Sequence, residues 1–115
     1  MRKAVAIGAI GLGAALLSAS AAGAGDGKAA AQDLGCTACH AAQTKLVGPS
    51  YQAVSEKYGA DQGSILERIK MAVENGASGT WSATTGGTPM PPQPQAAGKT
   101  DKLETIAAWI AAMAD

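Results

Sequence analysis

Apolar residues in this chain gather into short helical stripes separated by polar, glycine-rich or proline-rich stretches. The first stripe, Lys28 to Gly35, is alanine-rich and predicts a short helix, with Asp26 able to cap its first turn. The second runs from Ser50 to Tyr58 behind Pro49, with Val54 and Tyr58 four apart and Gly59 as the stop. The third opens at Asp61 or Ser64, repeats at Ile65, Ile69 and Val73, and ends at Asn75-Gly76. The last is capped by Thr100 or Asp101 and carries Leu103, Ile106, Ile110 and Met113 on one face. Strand signal is sparse, so the pattern predicts an all-α chain of about four helices. Between the third and fourth helices, Gly76 to Lys99 is rich in Gly, Thr, Ser and Pro and reads as one long loop. Loops of that length in small domains are functional or disordered.

Ahead of these elements lies a different pattern. Arg2 and Lys3 precede an apolar run from Ala4 to Leu17, and Ala22-Gly23-Ala24 offers small residues for cleavage. That order is the mark of a secretory signal peptide, removed after Ala24, with Ala21 and Ala22 as alternative positions. The rival reading is an uncleaved anchor, but the strongly apolar part falls short of the ~20 residues that span a bilayer. The expectation is therefore a cleaved segment at 1–24 and one domain at 25–115, exported to the periplasm and without stable membrane insertion.

Export changes the charge balance. The whole chain holds nine basic and nine acidic residues, and removing Arg2 and Lys3 leaves seven basic against nine acidic. No basic patch points to nucleic acid. The domain has no phenylalanine and its apolar residues are mostly alanines, with Leu34, Leu46, Val47, Val54, Ile65, Leu66, Ile69, Val73, Leu103, Ile106, Trp109 and Ile110 as the large ones. Small domains with so little bulk need a staple or a cofactor.

The candidate chemistry is concentrated in Cys36-Thr37-Ala38-Cys39-His40, which holds the only two cysteines and the only histidine. Cys-x-x-Cys-His is the signature of covalent c-type haem attachment. Two thiols on one turn add to vinyl groups of one haem edge, and the next residue sets an imidazole on one face of the iron. A thioredoxin-like dithiol would need a βαβ context. A structural zinc site would need four protein ligands, and no third cysteine or second histidine exists. A disulfide over so short a loop is strained and stabilises little. Haem is the reading that uses all three residues, and its apolar bulk supplies what the core lacks.

The long loop contains Thr88-Pro89-Met90-Pro91-Pro92. One reading is a flexible or proline-rich recognition segment. The other is a rigid mount: prolines hold the backbone extended around one methionine and present its thioether as a soft ligand. Among the other methionines, Met1 leaves with the signal, Met113 lies on the last apolar stripe, and Met71 falls inside a helix off the stripe, so both of the latter read as packing.

With these pieces assembled, the chain resembles the class I cytochromes c, and most closely the short monohaem bacterial type. The resemblance rests on Gly35 to His40, Val47-Gly48-Pro49-Ser50-Tyr51, Asn75-Gly76-Ala77-Ser78-Gly79-Thr80-Trp81, Pro89-Met90-Pro91-Pro92 and the Leu103 to Met113 helix with Trp109. It implies an all-α small cytochrome c fold, about four helices wrapped around one covalently bound haem c. It implies thioethers at Cys36 and Cys39, axial ligation of the iron by His40 and Met90, a Pro49 carbonyl accepting the imidazole Nδ1–H, and Trp81 beside the haem with its indole directed at a propionate. Three departures stand out. The first helix lacks the aromatic that usually packs on the last helix, with Ala31 near its place. The Ser82 to Pro89 stretch is longer than in the shortest members. Gln93 replaces an asparagine that bonds near the methionine sulfur.

The function that follows is one-electron transport, without catalysis, in the periplasm. The resemblance allows a cytochrome bc complex as donor, and a terminal oxidase, nitrite reductase or photosynthetic reaction centre as acceptor. The alternative is a haem-based sensor or peroxidase-like enzyme with a displaceable sixth ligand.

Overall fold

A computed structural model describes residues 26–114, and the predicted signal segment lies outside them. The described residues are helical, without a named strand, as the polarity pattern predicts. Helix α1 covers 26–33 and leads into a 3-10 turn at Cys36–Ala38. Then come α2 (Tyr51–Lys57), α3 (Gln62–Asn75), α4 (Ser82–Thr85) and α5 (Thr100–Ala111).

The helix starts follow local chemistry in two cases and depart from it in two. The Ser50 hydroxyl accepts the Ala53 N–H at 3.1 Å and caps α2. The Asp61 carboxylate accepts the Ser64 N–H at 2.8 Å and caps α3. Asp26, by contrast, is already inside α1. Lys99 occupies the cap position of α5 with no side-chain bond, and Thr100 is its first helical residue. The Thr105 hydroxyl donates back to the Asp101 carbonyl at 2.9 Å instead. Gly76, at φ 78, ends α3; a Cβ there would stand 2.8 Å from the Met90 carbonyl oxygen. That contact explains why the third helix must stop on a glycine.

Helix α5 is the spine of the molecule. It packs on α3 and, less extensively, on α2, and buries Leu103, Ile106, Ala107 and Ile110. Ile65 and Val73 answer from α3, while Ile69 is half-buried against the same core. Alanines 30 and 31 of α1 are buried, Ala31 completely. The expected crossing of the first and last helices is close rather than loose. A Cβ on Gly27 would collide with the Trp109 side chain and stand 2.9 Å from the Thr105 carbonyl oxygen. The bulk at this crossing comes from Trp109 on α5. Ser55, fully buried on α2, donates to the Ala111 carbonyl at 3.2 Å and ties α2 to the end of α5.

The segment read as one loop contains two ordered pieces. Residues 82–85 form the single turn α4, ended by Gly86 at φ 69. Ala77 and Met90 form an antiparallel bridge, with N–H···O distances of 2.9 and 2.8 Å in the two directions. Met113 packs on the core, but Met71 does not: it is 52% exposed. Leu46 and Val47 are likewise exposed, at 43% and 54%. They sit in the turn-rich stretch after the Cys-x-x-Cys-His turn, where no helix carries them inward.

Candidate functional site

The site is built where the 3-10 turn faces the loop that carries Met90. Gly35, at φ 78, reverses the chain at the end of α1 and starts the turn, in which the Cys39 and His40 N–H groups both donate to the Cys36 carbonyl. This brings both cysteines, half-buried and unpaired, to the same wall as the imidazole. Behind the ring, Gly48 leaves the space it needs: a Cβ there would lie 2.5 Å from His40 Cε1 and 2.9 Å from Nδ1. His40 Nδ1 is 2.8 Å from the Pro49 carbonyl oxygen, which has only acceptor capacity, so Nδ1 carries the proton and Nε2 keeps its lone pair. The Tyr51 ring stacks on the imidazole with centroids 5.5 Å apart.

Two adjoining cavities, of about 90 and 330 Å³, form one cleft. Cys36, His40, Pro49, Trp81 and Met90 line both, and Cys39 lines the smaller. The larger runs inward to Ile65, Val73, Ile106 and Ile110. Met90 is delivered by its bridge to Ala77 and by Gln93, whose N–H donates to the Val73 carbonyl at 2.8 Å. Trp81 is half-buried, and the Lys57 ammonium sits 5.3 Å from its ring centroid.

These residues fit a haem. Apolar groups predominate in the cleft lining, and two thiols, an imidazole and a thioether supply its soft and nitrogen ligand atoms. Among the described residues, the Tyr51 hydroxyl is the one buried side-chain polar atom without a partner, and Tyr51 lines the larger cavity. A buried donor of that kind is costly unless something in the cavity accepts from it. Burial pushes the Tyr51 phenol well above its ordinary range, so the hydroxyl stays protonated as a donor. Burial also raises the Cys36 thiol.

Sequence reasoning missed three parts of this site. Gly48 is legible only once the imidazole is seen against it. Tyr51 was part of a motif with no role attached. Gln95 donates to the Leu34 carbonyl at 2.9 Å, and no pattern announces that bond. The Gln93 amide donates to the Pro91 carbonyl at 3.0 Å, two residues away, which differs from the sulfur-directed bond of the asparagine it replaces.

Comparison with known proteins was made against this geometry. Residues 24–114 match the family model described as cytochrome c. Cytochrome c-551 of Azotobacter vinelandii is 41% identical over 76 residues, covering 66% of this chain and 83% of the relative. Cytochrome c-552 of Hydrogenobacter thermophilus is 37% identical over 81 residues, 70% of this chain and 74% of the relative. The crystal structure of wild-type Nitrosomonas europaea cytochrome c552 superposes with a TM-score of 0.61 at 30% identity, covering 75% of this chain and 98% of that one. The chain belongs to the cytochrome c family, as a class I monohaem member whose covalently bound haem c serves electron transfer.

Proposed function

We propose that this protein is a periplasmic one-electron carrier in which Cys36 and Cys39 tether the haem and His40 and Met90 are the axial ligands of its iron. The observation that carries the reading is the meeting of Met90 with the Cys-x-x-Cys-His turn: residues far apart in the chain line the same two cavities. When bound, the haem supplies a reversible ferric/ferrous couple.

The protein's own residues do the rest. Pro49 accepts the Nδ1 proton of His40, which fixes the tautomer and the ring plane and leaves Nε2 to face the metal. Gly48 and Tyr51 hold the ring from its two sides. The prolines around Met90 and the bridge to Ala77 keep the thioether in place in both oxidation states. A thioether opposite imidazole favours ferrous iron and raises the potential, and burial raises it further. With His40 and Met90 as the iron's ligands, no coordination position would be left open to a substrate, which favours a carrier over an enzyme. Trp81, which lines both cavities, would pack beside the haem and could offer its indole N–H to a propionate.

Partners dock transiently over a small surface, as redox encounters do. Leu46 and Val47 are exposed on the turn beside the smaller cavity, which Val47 also lines. A cytochrome bc complex as donor and a terminal oxidase, nitrite reductase or reaction centre as acceptor fit this use. Residues 1–24 direct export and are removed, and 25–115 form the working domain. Among the described residues no helix is long and apolar enough to cross a membrane.

Visible spectra of the purified exported protein in both oxidation states test the proposal. Six-coordinate low-spin iron with a weak far-red ferric band is the expected result. Rapid, tight carbon monoxide binding by the ferrous protein at neutral pH would instead indicate an open or displaceable sixth position.

A further inference from the structure

Met90 stands in a segment almost without backbone donors, because Pro89, Pro91, Pro92 and Pro94 have no N–H. Beside local turn bonds from the Ala96 and Ala97 N–H groups to the Gln93 carbonyl, its backbone ties run to one side. Met90 pairs with Ala77, and Gln93 donates to Val73, so both hold the segment against the end of α3. On the opposite side lies the haem-attachment strap, Leu34-Gly35-Cys36. Here the connection is made by side chains alone. The Gln95 amide donates to the Leu34 carbonyl and to Gln93 Oε1, both at 2.9 Å, and the Gln93 amide donates to the Pro91 carbonyl at 3.0 Å.

The three bonds form a continuous relay. It starts on the Leu34 carbonyl in the turn that ends α1, two residues before the first tether, and ends on the carbonyl of the residue after Met90. Gly35, Cys36, Pro91 and Gln93 all line the smaller cavity, so the relay runs along its rim. Every donor and acceptor in it is used in a consistent sense: each amide nitrogen donates and each oxygen accepts.

We infer that Gln95 is a positioning residue for the sixth ligand: through Gln93 it locks the Met90 segment to the haem-attachment strap and restrains the thioether from leaving the iron. The inference rests on the axial role proposed for Met90. A swing of its segment away from the opposite face carries a methionine ligand off, and the α3 bonds alone form a hinge on one side. The relay closes the other side. Gln95 itself is exposed and contributes no apolar packing, so its removal leaves the core intact.

The test uses the ferric holoprotein and imidazole, a small neutral ligand that must displace the thioether to bind. Gln95→Ala removes the amide, and Gln95→Glu keeps its shape while removing the donor. Both are expected to weaken the far-red band and to speed imidazole binding on the order of tenfold, the effect of losing one or two net hydrogen bonds. Gln95→Lys, which restores a donor, returns both readouts toward wild type. The denaturant midpoint of the folded holoprotein stays close to wild type in all three. Imidazole binding and a far-red band that match wild type in both Gln95→Ala and Gln95→Glu overturn the relay. A lowered midpoint with unchanged imidazole binding also overturns it, since that marks a purely structural residue. A wild-type protein without the far-red band overturns the axial role of Met90 itself, and the relay with it.

Discussion

The His40 imidazole is oriented by three neighbours: the Pro49 carbonyl at 2.8 Å, the Tyr51 ring at 5.5 Å and the empty α-carbon face of Gly48. Of these, Gly48 is the most exacting, since any side chain there occupies the space of the ring. Gly48→Ala should push His40 off its bond to Pro49, giving a protein with reduced haem content and an altered ferric spin state, read by optical and electron-paramagnetic spectra. On the proposed axial ligation, Met90→Ala should abolish the weak far-red band and lower the reduction potential, because it removes a thioether that would favour ferrous iron. Met71→Ala serves as the comparison. Met71 is 52% exposed at the rim of the larger cavity, and its substitution should leave both readouts unchanged.

At the scale of elements, α1 approaches α5 through Gly27, whose bare backbone lies against the Trp109 side chain and the Thr105 carbonyl. Gly27→Ala should force the two helices apart, with a cost of about 1–3 kcal/mol for overpacking, seen as a lower thermal midpoint. The start of α3 responds to acid. Hydrogen bonds from Ser64 hold the Asp61 carboxyl below its ordinary value of 3.8. A depressed folded-state value means the cap contributes fully above that ordinary value and is lost as pH falls through the lowered one. Asp61→Asn caps without titrating, so its denaturant midpoint should fall less on acidification than that of wild type. The helices themselves were legible in the sequence wherever apolar spacing and a capping side chain agreed, as at Ser50 and Asp61. They were not legible at α4, a single turn with no apolar stripe, nor at the start of α5. There neither Thr100 nor Asp101 caps, and the helix rests on tertiary burial of Leu103 and Ile106.

The whole molecule depends on what fills its cleft. Unfilled, the larger cavity of about 330 Å³ leaves the apolar faces of Ile65, Val73, Ile106 and Ile110 without packing partners on one side. The alanine-rich core offers no side chain to fill it. The haem-free domain should therefore lack a sharp cooperative melt in calorimetry, while the holoprotein shows one. The sequence by itself determined what is local in the chain: the Cys36 to His40 pentapeptide, the prolines flanking Met90, the apolar stripes of α3 and α5, and the all-α class. Each of these follows from spacing within a few residues, where backbone geometry leaves little choice. Only the tertiary structure decided what depends on distant segments meeting. It set Gly48 behind the imidazole, drew Gly27 against Trp109, turned the Tyr51 hydroxyl into an unpartnered donor, and ran the Gln93 and Gln95 amides from Leu34 to Pro91. Those contacts join residues with no periodic relation in sequence, so packing alone selects them.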